Sequence, residues 1–424
     1  MKKAANALLA AIALLVLPLE AETTRARPED VGLSSERLQR IGDTMRRHIE
    51  AGDFSGAVTL VARKGRLAHL EAHGTMDLEA KTPMPRDAVF RIASMTKPVI
   101  AVAILMMMEE GKLRLSDPVS RFIPEFKNLK YAVPIEAAAG VGRAAGPGGP
   151  PAETPFYTVP SNREITVRDL LTHTSGLVSG GISATEAAKI ERKPTDTLAD
   201  YLPKLGAVPL AFQPGTRWAY SPGAGFDTLG RIVEVTSGQP LDQFLRQRVF
   251  VPLGMKDTFF YFPPKDRLSR VPRVYQRAPN GMQKVENPDS ARSAVYFGGG
   301  GGLLSTAEDY LQFGQMLLNG GQLNGTRLLG PRTVDLMQAI HIPDTLAGRP
   351  AGRSFGLSVQ VISDAIAAAV PVSRGSYGWD GAFGTHFWND PKEQIVGVMM
   401  IQTQNPNRQA DRDFETAIMQ AIID

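Results

Sequence analysis

The sequence predicts an α/β (α+β) fold, in which an antiparallel β-sheet is flanked by helices and carries an inserted, mostly helical lobe. Strand patterns occur near the beginning and near the end of the 424 residues, whereas helical patterns dominate between them. We therefore expect residues 22–115 and 290–424 to form one α/β domain and residues 116–289 to form the inserted helical domain. Within the insertion, residues 131–163 are rich in Ala, Gly and Pro, which predicts a long surface loop or, equally, a disordered segment.

Three segments have strand patterns that supply this sheet. Residues 56–70 alternate apolar residues on both sides of the turn Lys64-Gly65-Arg66, which predicts a β-hairpin. Residues 357–361 also alternate, which predicts a strand. Residues 395–401 are almost continuously apolar, as in a strand that is buried on both faces.

The helical segments have recognisable ends. Residues 98–110 are apolar on nearly every side and stop at Gly111, which predicts a buried helix. Residues 226–236 form a second helical pattern that ends at Gly238. Two further helices are predicted, one beginning at residues 166–171 and one at residues 412–423.

The N-terminus has the pattern of a secretory signal peptide. Lys2-Lys3 precede an apolar stretch at residues 7–19, and Ala21 provides the small residue that a signal peptidase reads. A membrane anchor, the alternative, requires about 20 continuous apolar residues, and Pro18 interrupts this shorter stretch. We expect cleavage after Ala21, export to the periplasm or the medium, and no stable membrane insertion afterwards.

Composition excludes several classes of site. The chain has no cysteine, so disulfides, thiolate metal sites and a cysteine nucleophile are all excluded. Its 47 basic and 43 acidic residues are interspersed, which gives no nucleic-acid-binding face. None of the six histidines has the spacing of a zinc site. We expect an enzyme without metal or cofactor, and the sequence does not indicate an oligomeric state.

Ser94 and Lys97 are the candidate catalytic pair. They are three residues apart at the start of a predicted helix, so their side chains lie on one face and can touch. A serine hydroxyl needs a neighbouring base, and a lysine serves as one only when its pKa is lowered by burial. The N-terminal end of the helix also favours an oxyanion, so the backbone N–H of Ser94 is a candidate donor to it.

Motifs along the chain resemble those of the serine β-lactamase and penicillin-binding-protein superfamily, particularly its class C-like branch. The similarity extends over about residues 30 to 420. The segments that carry it are Ser94-Met95-Thr96-Lys97 within residues 90–98, Leu170-Leu171-Thr172-His173-Thr174-Ser175-Gly176-Leu177, Pro252-Leu253-Gly254-Met255-Lys256-Asp257-Thr258, and the glycines 298–302 with Leu303-Leu304-Ser305-Thr306. The resemblance implies a β-lactamase/transpeptidase-like fold and acyl transfer to Ser94.

The second motif of that superfamily, Tyr-x-Asn, is matched by Tyr220-Ser221-Pro222. The resemblance implies that Tyr220 works with Lys97 as the acid and base system. A phenol whose pKa is depressed by a nearby ammonium would take the proton of Ser94. The sequence leaves open which of the two groups is the base at rest. Pro222 has no side-chain amide, which disfavours β-lactam recognition.

The third motif, usually Lys-Thr-Gly or His-x-Gly, is matched by Trp379-Asp380-Gly381. This Trp-x-Gly form resembles the family VIII carboxylesterases. An indole suits an uncharged acyl or alcohol group, whereas a lysine suits a carboxylate. We expect Trp379, Asp380 and Gly381 to line the substrate site, although Asp380 has no evident role. By position, the backbone N–H of Ala382 would complete the oxyanion hole.

Two other patterns require an explanation. Residues 352–356 match Gly-x-Ser-x-Gly around Ser354, and Asp364, Asp380 and His386 follow in an order that a catalytic triad could use. A nucleophile elbow follows a buried strand, however, and the stretch before Ser354 is polar. His173 is predicted to be a structural, hydrogen-bonding histidine.

These observations predict a serine carboxylesterase that hydrolyses short-chain acyl esters through a Ser94 acyl-enzyme, with weak β-lactam hydrolysis as a side activity. Its partner would be a small ester substrate. The first alternative is a class C-like β-lactamase or DD-peptidase, which would share the fold and the first motif. The second alternative is a non-catalytic exported binding protein, which would not need an activated serine.

Overall fold

The computed structural model describes residues 24–135, 154–261, 263–286, 293–343 and 346–424. The predicted signal peptide, residues 1–21, lies outside the described residues, and so does most of the predicted loop. In the described part of the chain, every helix is too short or too polar to cross a bilayer.

Eighteen strands are described, most of them short. In chain order they are β1 (Gly56–Arg63), β2 (Arg66–Asp77), β3 (Thr82–Pro83), β4 (Phe90–Arg91), β5 (Lys130–Pro134), β6 (Phe156–Pro160), β7 (Phe259–Phe260), β8 (Tyr275–Ala278), β9 (Gly281–Lys284), β10 (Leu303–Ser305), β11 (Gln322–Leu323), β12 (Thr326–Arg327), β13 (Arg353–Phe355), β14 (Gln360–Ile362), β15 (Tyr377–Asp380), β16 (His386–Asp390), β17 (Ile395–Ile401) and β18 (Thr403–Gln404).

The described α-helices are α1 (Ser35–Glu50), α2 (Thr96–Glu109), α3 (Val167–Leu171), α4 (Gly181–Ala188), α5 (Leu198–Tyr201), α6 (Ala224–Ser237), α7 (Leu241–Leu245), α8 (Val251–Leu253), α9 (Ala307–Leu318), α10 (Pro331–Gln338), α11 (Ala365–Ala368) and α12 (Gln409–Met419). Short 3₁₀ turns connect several of them, and a π-turn at Arg246–Phe250 joins α7 to α8.

The main sheet has eight strands in the order β13-β14-β15-β16-β17-β1-β2-β3, and all its pairs are antiparallel. Its strands come from both ends of the described chain, and β1 pairs with β17 in the centre. The predicted antiparallel sheet from both chain ends, with helices packed on it, is therefore confirmed.

Both faces of the sheet are buried, which explains why β17 is apolar throughout. Leu60 and Val398 point to the core that also contains the apolar side chains of α2 and α9. Val61 and Met399 point to a second core with side chains of α1 and α12. Covering both faces removes the polar alternation expected of a half-exposed strand.

The local predictions were confirmed at the hairpin, the buried helix and the central strand. The hairpin forms as β1 and β2, the apolar run forms α2, and residues 395–401 form β17. Gly238 ends α6 in a left-handed conformation with φ 71°, which glycine adopts without steric cost. The final helix begins and ends three to four residues earlier than predicted, at Gln409–Met419.

The strand predicted at residues 357–361 is confirmed only at its end, where residues 360 and 361 belong to β14, and is wrong at residues 357–359. Residues 356–359 form the turn between β13 and β14, closed by a hydrogen bond from Gly356 N to Val359 O at 2.8 Å. Ser358 has φ 75° there, and its backbone N–H donates to Leu171 O at 2.9 Å. At residues 357–359, a contact with a distant helix therefore replaces the strand pairing that alternation predicted.

The two ends of the predicted loop at residues 131–163 form strands instead. β5 and β6 pair in antiparallel register, from Lys130 opposite Pro160 to Pro134 opposite Phe156. Residues 136–153, between the two strands, lie outside the described part of the chain.

Leu60 offers a test of the central packing. Its side chain is fully buried between β2 and β17, so Leu60→Ala leaves a cavity and lowers the free energy of unfolding by about 2–5 kcal/mol. Urea denaturation measures this loss. As a control, Val235→Ala on α6, at a side chain that is 42% exposed, changes the free energy by about 0.5 kcal/mol or less. Similar losses in both variants would contradict the assignment of Leu60 to the core.

Candidate active site

Ser94 lies in a tight turn between β4 and α2. The turn is a 3₁₀ segment, Ala93–Met95, that leads directly into the helix. Ala93 has φ 43°, a left-handed conformation that costs a non-glycine residue about 1–3 kcal/mol. The hydroxyl of Tyr310 donates to Met95 O at 2.8 Å and holds the turn from the core side. The surrounding fold thus fixes a strained backbone at the residue directly before Ser94.

The hydroxyl oxygen of Ser94 contacts both predicted partners. Lys97 Nζ lies 3.0 Å from Ser94 Oγ. The hydroxyl of Tyr220 donates a hydrogen bond to the same oxygen at 2.6 Å. The structure therefore brings the side chains of Ser94, Lys97 and Tyr220 together, although Tyr220 is 126 residues from Ser94 in the sequence.

Lys97 is completely buried, and its amine makes two further contacts. Nζ also contacts Pro222 O at 2.8 Å and Gly300 O at 2.6 Å. Burial lowers the pKa of Lys97 to about 7 because the ammonium loses its hydration. Carbonyl oxygens only accept, so the two N–H bonds of a neutral amine point to them. The lone pair then points to Ser94, as a general base requires.

The pKa of Tyr220 differs from the prediction. Burial raises its pKa above the usual 10, although the hydrogen bond with Ser94 acts in the opposite direction. The expected depression of this pKa by the lysine ammonium is wrong, because burial of the phenol outweighs the contacts that lower its pKa. Tyr220 is thus a protonated donor, and Lys97 is the group suited to accept a proton.

His173 has the structural role that was predicted. Its Nδ1 accepts a hydrogen bond from the backbone N–H of Ser221 at 3.2 Å, and its ring lies 4.7 Å from that of Tyr220. Burial, together with the nearby charge of Lys97, lowers its pKa well below the usual range. His173 is therefore neutral and orients the Tyr220 segment.

The third motif lies at the end of β15, beside the Ser94 turn. The Trp379 ring is 5.7 Å from that of Tyr220 and 5.2 Å from that of Phe355, which forms an aromatic wall. A Cβ on Gly381 would lie only 2.4 Å from Ile92 O, so glycine is needed for this close approach. The approach brings the backbone at Ala382 beside the segment that carries Ser94.

Asp380, whose role the sequence left open, belongs to a charged cluster beside the motif. Its Oδ1 lies 2.6 Å from Nδ1 of His386, and Nε2 of that histidine lies 3.2 Å from Glu415 Oε1. Although burial alone would lower the pKa of His386, these carboxylates raise it well above the usual range. Arg408 donates to Gly381 O at 2.6 Å and to Asp411 Oδ2 at 3.2 Å. The cluster thus fixes the backbone of the third motif.

The same cluster contains a set of possible metal ligands. Ligand atoms of Asp380, His386 and Asp411 lie within 4.8 Å of one another. The guanidinium of Arg408, however, lies 3.2 Å from Asp411 and 4.0 Å from Asp380. It supplies the positive charge that a cation would bring, so we assign these residues to an ion-pair network.

The Gly-x-Ser-x-Gly pattern has a different structural role. Ser354 lies within β13, is almost fully buried, and its hydroxyl donates to Ile342 O at 3.2 Å. Asp364 caps the short helix α11 by accepting from the backbone N–H groups of Ile366 and Ala367. The pattern is therefore part of the sheet, as its polar flank predicted.

Sequence reasoning missed the backbone contribution to the site. Pro222 and Gly300 contact Lys97 through carbonyl oxygens, which no side-chain motif reveals. The one available signal was the glycine run at residues 298–302. A Cβ on Gly300 would lie 2.7 Å from Gly223 Cα, so only glycine allows this segment to approach.

Comparisons with known proteins identify the family of this chain. The Beta-lactamase family model matches residues 41–420. Protein Rv1367c of Mycobacterium tuberculosis is 37% identical over 373 residues, covering 85% of this chain and 88% of that protein. Esterase EstB of Burkholderia gladioli is 31% identical over 371 residues, with 82% and 85% covered.

A solved structure of a hydrolase is also similar to this chain. EstCE1, described as a hydrolase with promiscuous acyltransferase activity, superposes with a TM-score of 0.75 at 27% identity and covers 91% of this chain and 99% of its own. The family match and the esterase relatives identify a serine hydrolase with the β-lactamase fold. The chain therefore belongs to the beta-lactamase family, in its esterase-like branch.

Proposed function

We propose that this protein is a serine carboxylesterase that hydrolyses short-chain acyl esters through an acyl-enzyme on Ser94. The observation that carries the proposal is the position of Ser94 Oγ between the Lys97 amine at 3.0 Å and the Tyr220 hydroxyl at 2.6 Å. The esterase relative EstB and the hydrolase EstCE1 support the reaction class.

Acylation begins with the neutral amine of Lys97. Ser94 Oγ attacks the ester carbonyl carbon while its proton passes to Nζ, whose pKa of about 7 suits a base at neutral pH. The backbone N–H groups of Ser94 and Ala382 are proposed to stabilise the oxyanion. The C–O bond to the alcohol then breaks, and Tyr220 donates its proton to the departing alkoxide. One proton passing from the Lys97 ammonium to the phenolate restores both neutral groups.

Deacylation uses the same groups with water in place of the alcohol. Lys97 takes a proton from water as the water oxygen attacks the acyl carbon. The bond to Ser94 Oγ breaks, and the serine oxygen recovers a proton from the Lys97 ammonium. The acid product leaves, and no group of the protein is consumed.

The aromatic wall of Trp379 and Phe355 supports an uncharged acyl or alcohol group as substrate. The rival function, β-lactamase or DD-peptidase activity, is disfavoured at Pro222, whose carbonyl is occupied by Lys97 and whose side chain has no amide. A non-catalytic binding protein is disfavoured because binding alone does not need a buried amine beside a serine hydroxyl.

Ser94→Ala removes the nucleophile and is expected to lower kcat on p-nitrophenyl butyrate by at least about 10⁴-fold. It is also expected to abolish covalent labelling by a fluorophosphonate, measured by mass spectrometry of the intact protein. The matched control is Ser354→Ala, which removes the serine of the other motif and is expected to leave labelling intact. Labelling that survives in the first variant and disappears in the second would reverse the assignment.

The pH dependence of kcat/KM reports the base. Because Lys97 has a lowered pKa of about 7, its neutral form is present above that pH and is lost as pH falls through it. We expect kcat/KM to fall about tenfold per pH unit on the acid side. The raised pKa of Tyr220 leaves the profile flat on the alkaline side up to about pH 9. Activity that persists unchanged to pH 5 would show that another group is the base.

Substrate preference separates the esterase from the lactamase. We expect kcat/KM for p-nitrophenyl butyrate to exceed that for nitrocefin by at least about 100-fold, because Pro222 has no side-chain amide for the lactam and the Trp379 indole has no positive charge for the carboxylate. Parallel steady-state measurements on one preparation provide the comparison. A larger value for nitrocefin would support the lactamase instead.

A further inference from the structure

A backbone link connects Asp227, in the first turn of α6, to the amine of Lys97. The Asp227 carboxylate accepts a hydrogen bond from the backbone N–H of Gly300 at 2.8 Å through Oδ1. The carbonyl oxygen of Gly300 lies 2.6 Å from Lys97 Nζ. One residue of the glycine run therefore contacts an acid through its N–H and the amine through its carbonyl.

We propose that Asp227 is a positioning residue for the general base, because its carboxylate holds Gly300 so that the Gly300 carbonyl holds the Lys97 amine against Ser94. The proposal rests on the function proposed above. Asp227 itself contacts neither Ser94 nor a substrate atom, so its effect passes through the backbone of Gly300 and through its charge.

The bond to Asp227 matters because Gly300 has few other ways to hold its position. Gly300 has no side chain, and it is packed so closely that an added Cβ would meet Gly223 Cα at 2.7 Å and Pro222 O at 3.0 Å. The position of the Gly300 carbonyl therefore depends on the contacts that the backbone of Gly300 makes. The bond to Asp227 is charge-assisted, and such bonds are about twice as strong as neutral ones.

The second oxygen of Asp227 is held from the other side. Tyr296, which is almost fully buried, donates its hydroxyl to Oδ2 at 2.8 Å. The guanidinium of Arg192 lies 4.4 Å from the centre of the Tyr296 ring. Each carboxylate oxygen therefore has a donor, and the carboxylate is fixed in orientation toward Gly300.

The charge of Asp227 also acts on Lys97. Burial dominates the lowered pKa of Lys97, and Asp227 is the group whose negative charge opposes this lowering. The other titratable groups that face the amine are Tyr220, whose pKa is raised, and His173, whose pKa is lowered, so both are neutral. The groups that face the Asp227 carboxylate itself are Arg192, Tyr296 and Tyr201. Asp227 thus keeps the pKa of the base from falling further.

Asp227→Asn separates charge from geometry. The amide oxygen can still accept from Gly300, and the amide nitrogen can donate to the oxygen of Tyr296, so the hydrogen bonds are retained. Loss of the charge disfavours the Lys97 ammonium, and its titration midpoint is expected to fall by about one pH unit. NMR of protein carrying [ε-¹³C]lysine measures this midpoint directly, with the Lys97 signal identified by its loss in Lys97→Met.

The matched control is Glu234→Gln on the same helix. Glu234 is also partly buried and also accepts from a backbone N–H, that of Leu241 at 3.2 Å. Its neutralisation is expected to leave the Lys97 midpoint unchanged. Asp227→Ala removes the anchor as well as the charge, and kcat on p-nitrophenyl butyrate is expected to fall at least tenfold below that of Asp227→Asn.

The outcomes distinguish this inference from the proposed function. An unchanged Lys97 midpoint in Asp227→Asn, or equal kcat values in the asparagine and alanine variants, would overturn the positioning role. If the midpoint falls as expected while the unmodified protein hydrolyses no ester, the link between Asp227 and Lys97 stands and the esterase proposal fails. A shift in Glu234→Gln of the same size would show that general charge, and not this contact, sets the midpoint.

Discussion

The amine of Lys97 is enclosed by apolar side chains and held by two backbone carbonyls and the Ser94 hydroxyl. Removing an ammonium from water is unfavourable, so this enclosure favours the neutral amine. Three chain segments must converge to supply those contacts: the start of α2, the residues before α6 and the glycines before β10. A shift in any of them would leave a buried polar group without a partner, which costs about 1–3 kcal/mol. The desolvated amine therefore fixes the relative position of these three segments.

The parts of the molecule that were predictable from sequence are those with local signals. The hairpin, the apolar helix α2 and the central strand β17 have patterns that persist over many residues. The Ser94 and Lys97 pair was also accessible, because a spacing of three residues at a helix start brings side chains together. The expected two-ended sheet followed from where strand patterns lie in the chain. Tyr220 had no local signal, and only its resemblance to a known motif identified it.

The remaining features depend on contacts between distant segments. The alternation at residues 357–361 is typical of a strand, yet a hydrogen bond from Ser358 N to Leu171 O stabilises a turn there. The raised pKa of Tyr220 follows from burial that only the folded cleft creates. Asp380 gains the partner Arg408 from the start of the distant helix α12. None of these contacts is encoded by the spacing of residues along the chain.

The sheet has a further consequence for how the polypeptide reaches its native state. β1 pairs with β17, and more than 300 residues separate these two strands. Such pairing of remote segments slows folding, because a long loop must close before the contacts form. During synthesis the β1–β2 hairpin emerges first, with one hydrogen-bonding edge unpaired until the last part of the chain leaves the ribosome. That edge can recruit strands of other molecules in the interval, so premature termination would leave an aggregation-prone hairpin rather than a smaller folded domain.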